Sequence, residues 1–209
     1  MKEYFTILGK SESEFIINRS RFITNAMHVT SMVEAREFIA TISKKYSDAT
    51  HNCYAFISDK LGLEMRFSDD GEPQGTAGQP ILEVIKKKNL KEVVVVVTRY
   101  FGGIKLGAGG LVASYTEGAV TCLDNATIVK MIPCETYEVK VDYPTFSVVE
   151  KLLNNGAIVL DTIYENEVTI KFGVPTSSTI LSAIKNATSG KVEPIKTGEE
   201  YVYDNNFAK

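Results

Sequence analysis

The chain has 209 residues, of which 44% are hydrophobic and 23% are charged, and its formal net charge is −3 at pH 7. This composition excludes disordered and fibrous classes, and the length allows one large domain or two smaller ones. No apolar run is long enough for a transmembrane helix, and the N-terminus lacks the apolar core of a signal peptide. We therefore expect a cytoplasmic protein without a membrane partner.

The cysteines and the distribution of charge restrict the redox environment and the nucleic-acid partners that we expect for this protein. The three cysteines, Cys53, Cys122 and Cys134, have no metal-like spacing, which indicates reduced thiols. Residues 1–132 hold 16 Lys+Arg and 15 Asp+Glu, whereas residues 133–209 hold 7 and 11. Neither part attracts polyanions in general, so we expect no DNA partner. An RNA-binding surface would have to be a local patch in the first part.

The first third of the chain is predicted to be mostly strands around one helix. Ser31 and Glu34 form a capping-box pattern, and Val33, Phe38, Ile39 and Ile42 recur at helical spacing as far as the "KKY" at 44–46. Runs of β-branched and aromatic residues predict strands within 3–8, 14–29, 51–58 and 63–68.

The middle third contains the most unusual composition. Turn residues break regular structure over 69–81, and a helix is predicted over about 79–88. The "KEVVVVVT" at 91–98 predicts a strand buried on both faces. The glycine loop, "RYFGGIKLGAGG" at 99–110, follows it and leads into a helix with Leu111, Tyr115, Ala119 and Cys122 on one face.

The last third is predicted to form a second domain. Pro133 marks the predicted junction, with domains at 1–132 and 135–209. The pattern then predicts strand, helix, two strands, helix and strand, over 136–143, 144–156, 157–164, 167–174, 177–190 with a serine cap, and 191–203. That βαββαβ order is the ferredoxin-like arrangement.

Two known phosphate-binding motifs do not fit the glycine loop. A dinucleotide fingerprint from Gly107 needs glycine where Val112 stands, and a Walker A loop from Gly102 needs Lys and Ser/Thr where Ala108 and Gly109 stand. "LGAGGLVAS" still resembles the phosphate loop of small-molecule kinases with the ribosomal S5 domain 2-like fold. The glycines could equally serve only a close strand-to-helix turn.

The charge of Arg99 bears on whether the glycine loop binds an anion. A guanidinium at the end of a buried strand must meet an anion or reach water. The anion could be a ligand, or it could be Asp69, Asp70 or Glu72 in an internal ion pair. The residues alone leave both alternatives open.

Two further groups of residues are of types that can bind a metal or take part in catalysis. The three carboxylates of "SDDGEP" at 68–73 could bind Mg²⁺ or transfer protons, or could simply form a turn, which we favour. His51 and Cys53 share a strand face, but zinc needs more ligands and a Cys–His nucleophile pair has no supporting motif. We therefore assign no catalytic residue, metal or cofactor.

The basic run "KKKNLK" at 86–91 has two interpretations as well. Lysines suit the end of a helix, where they stabilise the macrodipole. They could also contact a phosphate backbone, with Tyr54, Phe56, Tyr100 and Phe101 available for stacking on bases.

Four segments together resemble the IMPACT/YigZ family: "SRFITNA", "DATHNCYAF", "FSDDGEPQGTAGQPIL" and "VVVVVTRYFGGIKLGAGGLVASY". The tail at 135–203 is similar to the second domain of bacterial members. One departure is Ala113, where many members have arginine in "GLVRAY". That change removes a cation from the anion surface and weakens an RNA interpretation.

The resemblance implies an α+β protein with an N-terminal domain like ribosomal S5 domain 2 and a ferredoxin-like C-terminal domain like domain V of elongation factor G. Relatives of both folds work on ribosomes or RNA, and eukaryotic members restrain an amino-acid-starvation kinase. The family motif residues carried over by position are His51, Asp69, Asp70, Glu72, Arg99, Tyr100, Gly102, Gly103, Lys105 and Gly107.

We therefore expect a non-enzymatic cytoplasmic regulator of translation that binds RNA, the ribosome or a translation-linked protein. The loops at 69–79 and 99–110 would form its surface, with Arg99 and Lys105 meeting an anion. One alternative is an enzyme that acts on a phosphorylated small molecule or nucleotide through the glycine loop. Another is a module that binds only proteins.

Overall fold

The structure is a computed structural model that describes residues 2–175 and 178–203. Its contacts divide the chain into two compact units, here called the N-terminal unit (residues 4–129) and the C-terminal unit (residues 2–3 and 130–203). Both units combine strands and helices, so the predicted α+β class is confirmed. None of the helices in the described ranges is long and apolar enough to cross a membrane.

The N-terminal unit is built on a five-stranded antiparallel sheet in the order β2–β3–β6–β4–β5. The unit begins with β1, Tyr4–Ile7. The strands of the sheet are β2 (Lys10–Ile17), β3 (Ser20–His28), β4 (His51–Ile57), β5 (Met65–Ser68) and β6 (Val93–Tyr100). The helices are α1 (Met32–Lys45), α2 (Gly78–Lys87) and α3 (Gly107–Asp124).

Helices cover both faces of this sheet. Val93, Val95 and Val97 of β6 belong to the core under α2 and α3, whereas Val94 and Val96 pack in the core under α1. Successive side chains of a strand point to opposite faces, so an unbroken valine run fills both cores. The prediction that this strand is buried on both faces is confirmed.

The sequence signals for α1 are confirmed with one exception. The Ser31 hydroxyl accepts from the Glu34 N–H at 3.2 Å, and the Glu34 carboxylate accepts from the N–H of Thr30, the residue before the N-cap, at 2.7 Å. Phe38 and Ile42 are buried, but Val33 is 64% exposed, so its predicted place on the core face is wrong. The core face of α1 begins instead with Met32, which packs on the same core as Phe38, so Val33, one position further on, lies off that face.

In the sheet of the C-terminal unit, β7 pairs antiparallel with β10 and with β9, and β9 pairs antiparallel with β8. Its strands are β7 (Ile128–Val141), β8 (Ile158–Tyr164), β9 (Val168–Pro175) and β10 (Ile195–Tyr203). Its helices are α4 (Tyr143–Gly156) and α5 (Ile180–Ala187). The element order is βαββαβ, around one core that includes Val149, Leu153, Phe172 and Ile184.

Two local details differ from the sequence pattern. Pro133 does not lie in a linker; it lies inside β7, where it stands opposite Tyr201 of β10. At the last helix the sequence predicted a serine cap, of which Ser177 lies outside the described residues. Thr179 is the N-cap residue of the helix and makes no side-chain cap, while the hydroxyl of the preceding Ser178 accepts from the Ile180 N–H at 3.2 Å.

Candidate functional site

Arg99 lies on the covered side of the sheet because of strand alternation. It follows Val93, Val95 and Val97 on the face of β6 that α2 and α3 cover. Only 4% of the residue is exposed. The guanidinium therefore does not point outward, as contact with an external anion would require.

The internal partner of Arg99 is Glu72, which is 8% exposed. Arg99 Nη1 lies 2.6 Å from Glu72 Oε1, and the Tyr115 hydroxyl of α3 donates to the same oxygen at 2.8 Å. His51 Nε2 lies 3.9 Å from Glu72 Oε2. Of the two anions left open by the sequence, the structure contains the internal carboxylate, and it selects Glu72 over Asp69 and Asp70. We call Arg99, Glu72, Tyr115, His51 and Cys53 the buried cluster.

Other contacts of Arg99 are aromatic and weakly polar. Its guanidinium carbon lies 5.6 Å from the centroid of the Phe22 ring and 5.4 Å from that of Phe101, within cation–π range. Nη2 donates to the Ser20 hydroxyl at 3.4 Å, while Nε has no hydrogen-bond partner among the described residues. The charge is thus neutralised by one carboxylate and flanked by two rings.

Asp69 holds the loop before α2 in shape. Its Oδ1 accepts from the N–H groups of Ala77 at 3.0 Å and Gly78 at 2.8 Å, and its Oδ2 accepts from the Gly75 N–H at 2.8 Å. A carboxylate at these amides satisfies donors that the first turn of a helix leaves unpaired. Asp69 therefore caps α2 from a distance, since Ala77, at the N-cap position, offers no side chain for it.

Asp70 joins the same loop to β4. Its Oδ2 accepts from the Asn52 N–H at 2.6 Å, and its carbonyl oxygen accepts from His51 Nδ1 at 2.7 Å. Its backbone has φ +43°, which turns the chain between the Asp69 and Glu72 side chains. Each of the three carboxylates thus has its own partner. Within the described ranges, no group of three metal-ligand side chains is placed to hold an ion.

Cys53 has the environment of a structural thiol. Its Sγ lies 2.9 Å from the Asp69 carbonyl oxygen and 3.3 Å from the Tyr115 hydroxyl oxygen. Burial raises the pKa of Cys53 far above its ordinary value, and burial likewise raises the pKa of Tyr115. A thiol that stays protonated is a poor nucleophile, which argues against a Cys–His pair with His51.

The second half of the glycine loop is open. At Gly103, Gly107 and Gly109 an added Cβ would meet no neighbouring atom within 4 Å. Phe101 is 46% and Ile104 42% exposed. Lys105 is exposed as well, so this cation and Ile104 project from the segment, near the half-exposed ring of Phe101.

The first part of the glycine loop is fixed to its surroundings. A Cβ added at Gly102 would lie 2.0 Å from the backbone carbonyl carbon of Arg19, so only glycine fits there. The Phe101 N–H donates to the Thr50 hydroxyl at 3.0 Å, and the Tyr100 hydroxyl donates to Asp48 at 2.7 Å. Gly102 thus brings the loop directly onto the turn between β2 and β3.

Sequence reasoning missed Arg19. It occupies that two-residue hairpin turn with Asn18, both at positive φ, and it is exposed. Its neighbour Arg21 is engaged with Glu14 through two hydrogen bonds of 2.7 and 2.8 Å. We call Arg19, Phe101, Ile104, Lys105 and the open glycines 103 and 107 the loop surface. The signal in the sequence was "NRS" between two strand patterns, but nothing in it pointed to the glycine loop.

The ten candidate residues therefore fall into three groups. His51, Asp69, Asp70, Glu72 and Arg99 are bound to one another or to the backbone around them. Gly103, Lys105 and Gly107 belong to the open loop surface, whereas Tyr100 and Gly102 fix that surface to its neighbours.

Comparison with known proteins gives consistent matches. The family model for the Impact N-terminal domain matches residues 18–123. "IMPACT family member YvyE" of Bacillus subtilis is 40% identical over 167 residues, which cover 80% of this chain and 77% of that protein. An "IMPACT family member" of Haemophilus influenzae is 32% identical over 206 residues, 95% of this chain and the whole of that protein. A crystal structure titled as that of a hypothetical protein matches 96% of this chain and all of its own, with a TM-score of 0.63 and 28% identity.

Proposed function

The chain belongs to the IMPACT family, and we propose that it is a non-enzymatic cytoplasmic regulator of translation that binds RNA, on the ribosome or free, through its loop surface. The observation that carries the proposal is the exposure of Phe101 and Lys105 beside the Arg19 turn. An exposed aromatic ring next to cations is the combination that single-stranded nucleic acid uses, since bases stack on the ring and phosphates meet the cations.

The finer fold assignment belongs to the same proposal. The βαββαβ order and the strand pairing β10–β7–β9–β8 of the C-terminal unit support a ferredoxin-like domain, as in domain V of elongation factor G. We assign the N-terminal unit to the ribosomal S5 domain 2-like class on the same family resemblance. Both classes occur in proteins that work on ribosomes, which supports translation as the setting, although fold alone does not determine function.

The internal hydrogen bonds of the three carboxylates disfavour the enzyme alternative. An enzyme acting on a phosphorylated small molecule would need Asp69, Asp70 or Glu72 free for a metal or a proton. Each of them instead accepts hydrogen bonds from groups that hold the fold together. Arg99, which would have to meet the phosphate, is paired with Glu72.

The test is filter binding of a single-stranded oligouridylate and of purified bacterial ribosomes at about 50 mM and about 200 mM salt. We expect binding that weakens with salt, and a loss of about tenfold or more in the double variant Arg19→Glu, Lys105→Glu. Lys151→Glu, an exposed site on α4 in the C-terminal unit, is the matched control and should retain affinity. Equal binding by the double variant and the control would refute this role for the loop surface.

A further inference from the structure

The guanidinium of Arg99 is in contact with two phenylalanine rings, one buried and one exposed. Its carbon is 5.6 Å from the ring centroid of Phe22 and 5.4 Å from that of Phe101. Phe22 is fully buried and stacks in turn on Phe15, with ring centroids 5.1 Å apart and an angle of 4° between the planes. A series of contacts therefore leads from the core of the N-terminal unit through the Arg99 charge to Phe101. Phe101 is 46% exposed, so it is the ring of this series that a ligand can reach.

The backbone at Phe101 is held on both sides of the ring. Its own N–H donates to the Thr50 hydroxyl at 3.0 Å. The N–H of Gly102 donates to the Ser20 hydroxyl at 3.3 Å, and Gly102 lies directly against the backbone of Arg19. A ring on a fixed backbone loses little conformational entropy when a ligand covers it. Phe101 is therefore preorganised as a flat contact surface.

The charge behind Phe101 determines which groups suit the open side of the ring. Hydrogen bonds of a guanidinium run in its plane, so the pairing of Arg99 with Glu72 leaves the guanidinium faces available to rings. The face of an aromatic ring carries negative charge, and a cation on one side attracts that charge. Less of it is left on the other side for a second cation, such as a lysine of a partner protein. A flat, electron-rich π system suits that side better, and among nucleobases the purines offer the largest stacking area.

We infer that the open side of Phe101 stacks on a purine base of the bound single-stranded RNA, while Arg19 and Lys105 meet the phosphates on either side of that nucleotide. The inference rests on the RNA-binding role proposed above and adds a base preference to it. The stacked purine extends the series formed by Phe22, Arg99 and Phe101 by one more flat group.

The chain contains no tryptophan, which allows a direct test of stacking. In Phe101→Trp the only indole lies at the stacking position, and a base that stacks on an indole quenches its fluorescence. We expect quenching on titration with an oligouridylate that carries one central adenosine, and weaker quenching with oligouridylate alone. Phe67→Trp is the matched control, because Phe67 is 47% exposed on β5 of the same unit, and the fluorescence of this variant should stay unchanged.

Filter binding tests the base preference through affinity. The central adenosine should raise the affinity of the parent about threefold or more over oligouridylate alone, and Phe101→Leu should remove this difference. Phe101→Leu should also weaken binding of the adenosine probe about fivefold or more. The slope of log affinity against log salt should stay parental, because stacking releases no counter-ions. Phe67→Leu should bind both probes as the parent does. If urea unfolding shows that Phe101→Leu is destabilised, the quenching of Phe101→Trp, which keeps a ring, decides.

Three results would overturn this inference and leave the RNA-binding proposal standing. These are salt-dependent binding without quenching in Phe101→Trp, equal affinity of the parent for the two oligonucleotides, and parental binding of both by a folded Phe101→Leu. Absence of binding to either oligonucleotide at about 50 mM salt would overturn both proposals. Failure of the stacking inference is therefore distinguishable from failure of RNA binding itself.

Discussion

Arg99 and Lys105 are six residues apart in one continuous motif, yet their surroundings are opposite. Arg99 is buried, paired with Glu72 and flanked by two rings. Lys105 is exposed on an open loop. The difference arises because β6 directs Arg99 onto a covered sheet face, whereas the loop beyond Tyr100 leaves the sheet. A shared motif therefore combines residues that build the fold with residues that are available to a ligand.

The comparison separates two kinds of experimental outcome. If the buried cluster maintains the fold, substitutions there lower the free energy of unfolding. If the loop surface binds RNA, substitutions there lower affinity and leave stability nearly unchanged.

The largest effect is expected for Glu72→Gln. The substitution keeps the shape of the side chain but leaves the Arg99 charge buried without a counter-ion. Breaking a buried ion pair in this way costs about 3–5 kcal/mol. Urea unfolding should show this loss, and Glu117→Gln, an exposed site on α3, should change stability by less than about 0.5 kcal/mol. A loss below about 1 kcal/mol for Glu72→Gln would show that the pair is not a structural element.

The sequence indicated that Arg99 needs an anion, but it did not indicate which carboxylate pairs with it. The valine run predicted a strand covered on both faces, and from that the need of Arg99 for an anion could be deduced. Choosing Glu72 over Asp69 and Asp70 required the loop conformation. The backbone of Asp70 has φ +43°, and the Asp69 carboxylate accepts hydrogen bonds from the amides at the start of α2. Those directions depend on tertiary contacts, which residue types and spacing do not specify.

The loop surface shows the same limit. Lys105 and the glycines could be identified from the sequence, but Arg19 could not. Its position follows from the register of β3 and β6, which pairs Arg21 with Tyr100 and so places the hairpin turn beside Gly102. The exposure of Val33 is a similar case, because Met32 and Val33 are both apolar and only the fold shows that Met32 continues the core face of α1.

A smaller effect is expected for Gly102→Ala, on the boundary between the two regions. Its Cβ would overlap the Arg19 backbone, so the two segments would have to separate. Overpacking of this kind costs about 1–3 kcal/mol. Gly109→Ala, where a Cβ meets nothing within 4 Å, should be neutral or stabilising by up to about 1 kcal/mol. Equal unfolding midpoints for both variants would contradict the fixed contact at Gly102.

Alkaline pH should lower the free energy of unfolding of the N-terminal unit through its two buried thiols, Cys53 and Cys122. Burial raises the pKa of Cys53, and it raises the pKa of Cys122 to about 11. An unfolded thiol has a pKa of about 8.5, so above that pH the unfolded state binds fewer protons than the folded state. The free energy of unfolding is therefore unaffected by these groups below about pH 8.5. Above that value it falls by about 1.4 kcal/mol per pH unit for each thiol until the folded-state pKa is reached, which for Cys122 is about 11.

Removing one thiol isolates this contribution. In Cys53→Ala, the decline measured by urea unfolding between about pH 9 and about pH 10.5 should be shallower by about 1.4 kcal/mol per unit than in the parent. Ile23→Val, a change in a buried side chain of the same sheet, should lower stability without altering that slope. An unchanged slope in Cys53→Ala would mean that the thiol ionises in the folded state.

The smallest effect on stability, and the clearest on binding, is expected for Lys105→Ala. An exposed side chain on an open loop contributes less than about 0.5 kcal/mol to stability, so the unfolding midpoint should stay close to that of the parent. Loss of one phosphate contact to single-stranded RNA should reduce the slope of log affinity against log salt by about 0.7. Because Arg19 would supply a second contact, the double variant Arg19→Ala, Lys105→Ala should lose about twice as much slope. A parental slope in the double variant would move the RNA contact away from the loop surface, even if Glu72→Gln behaves as expected.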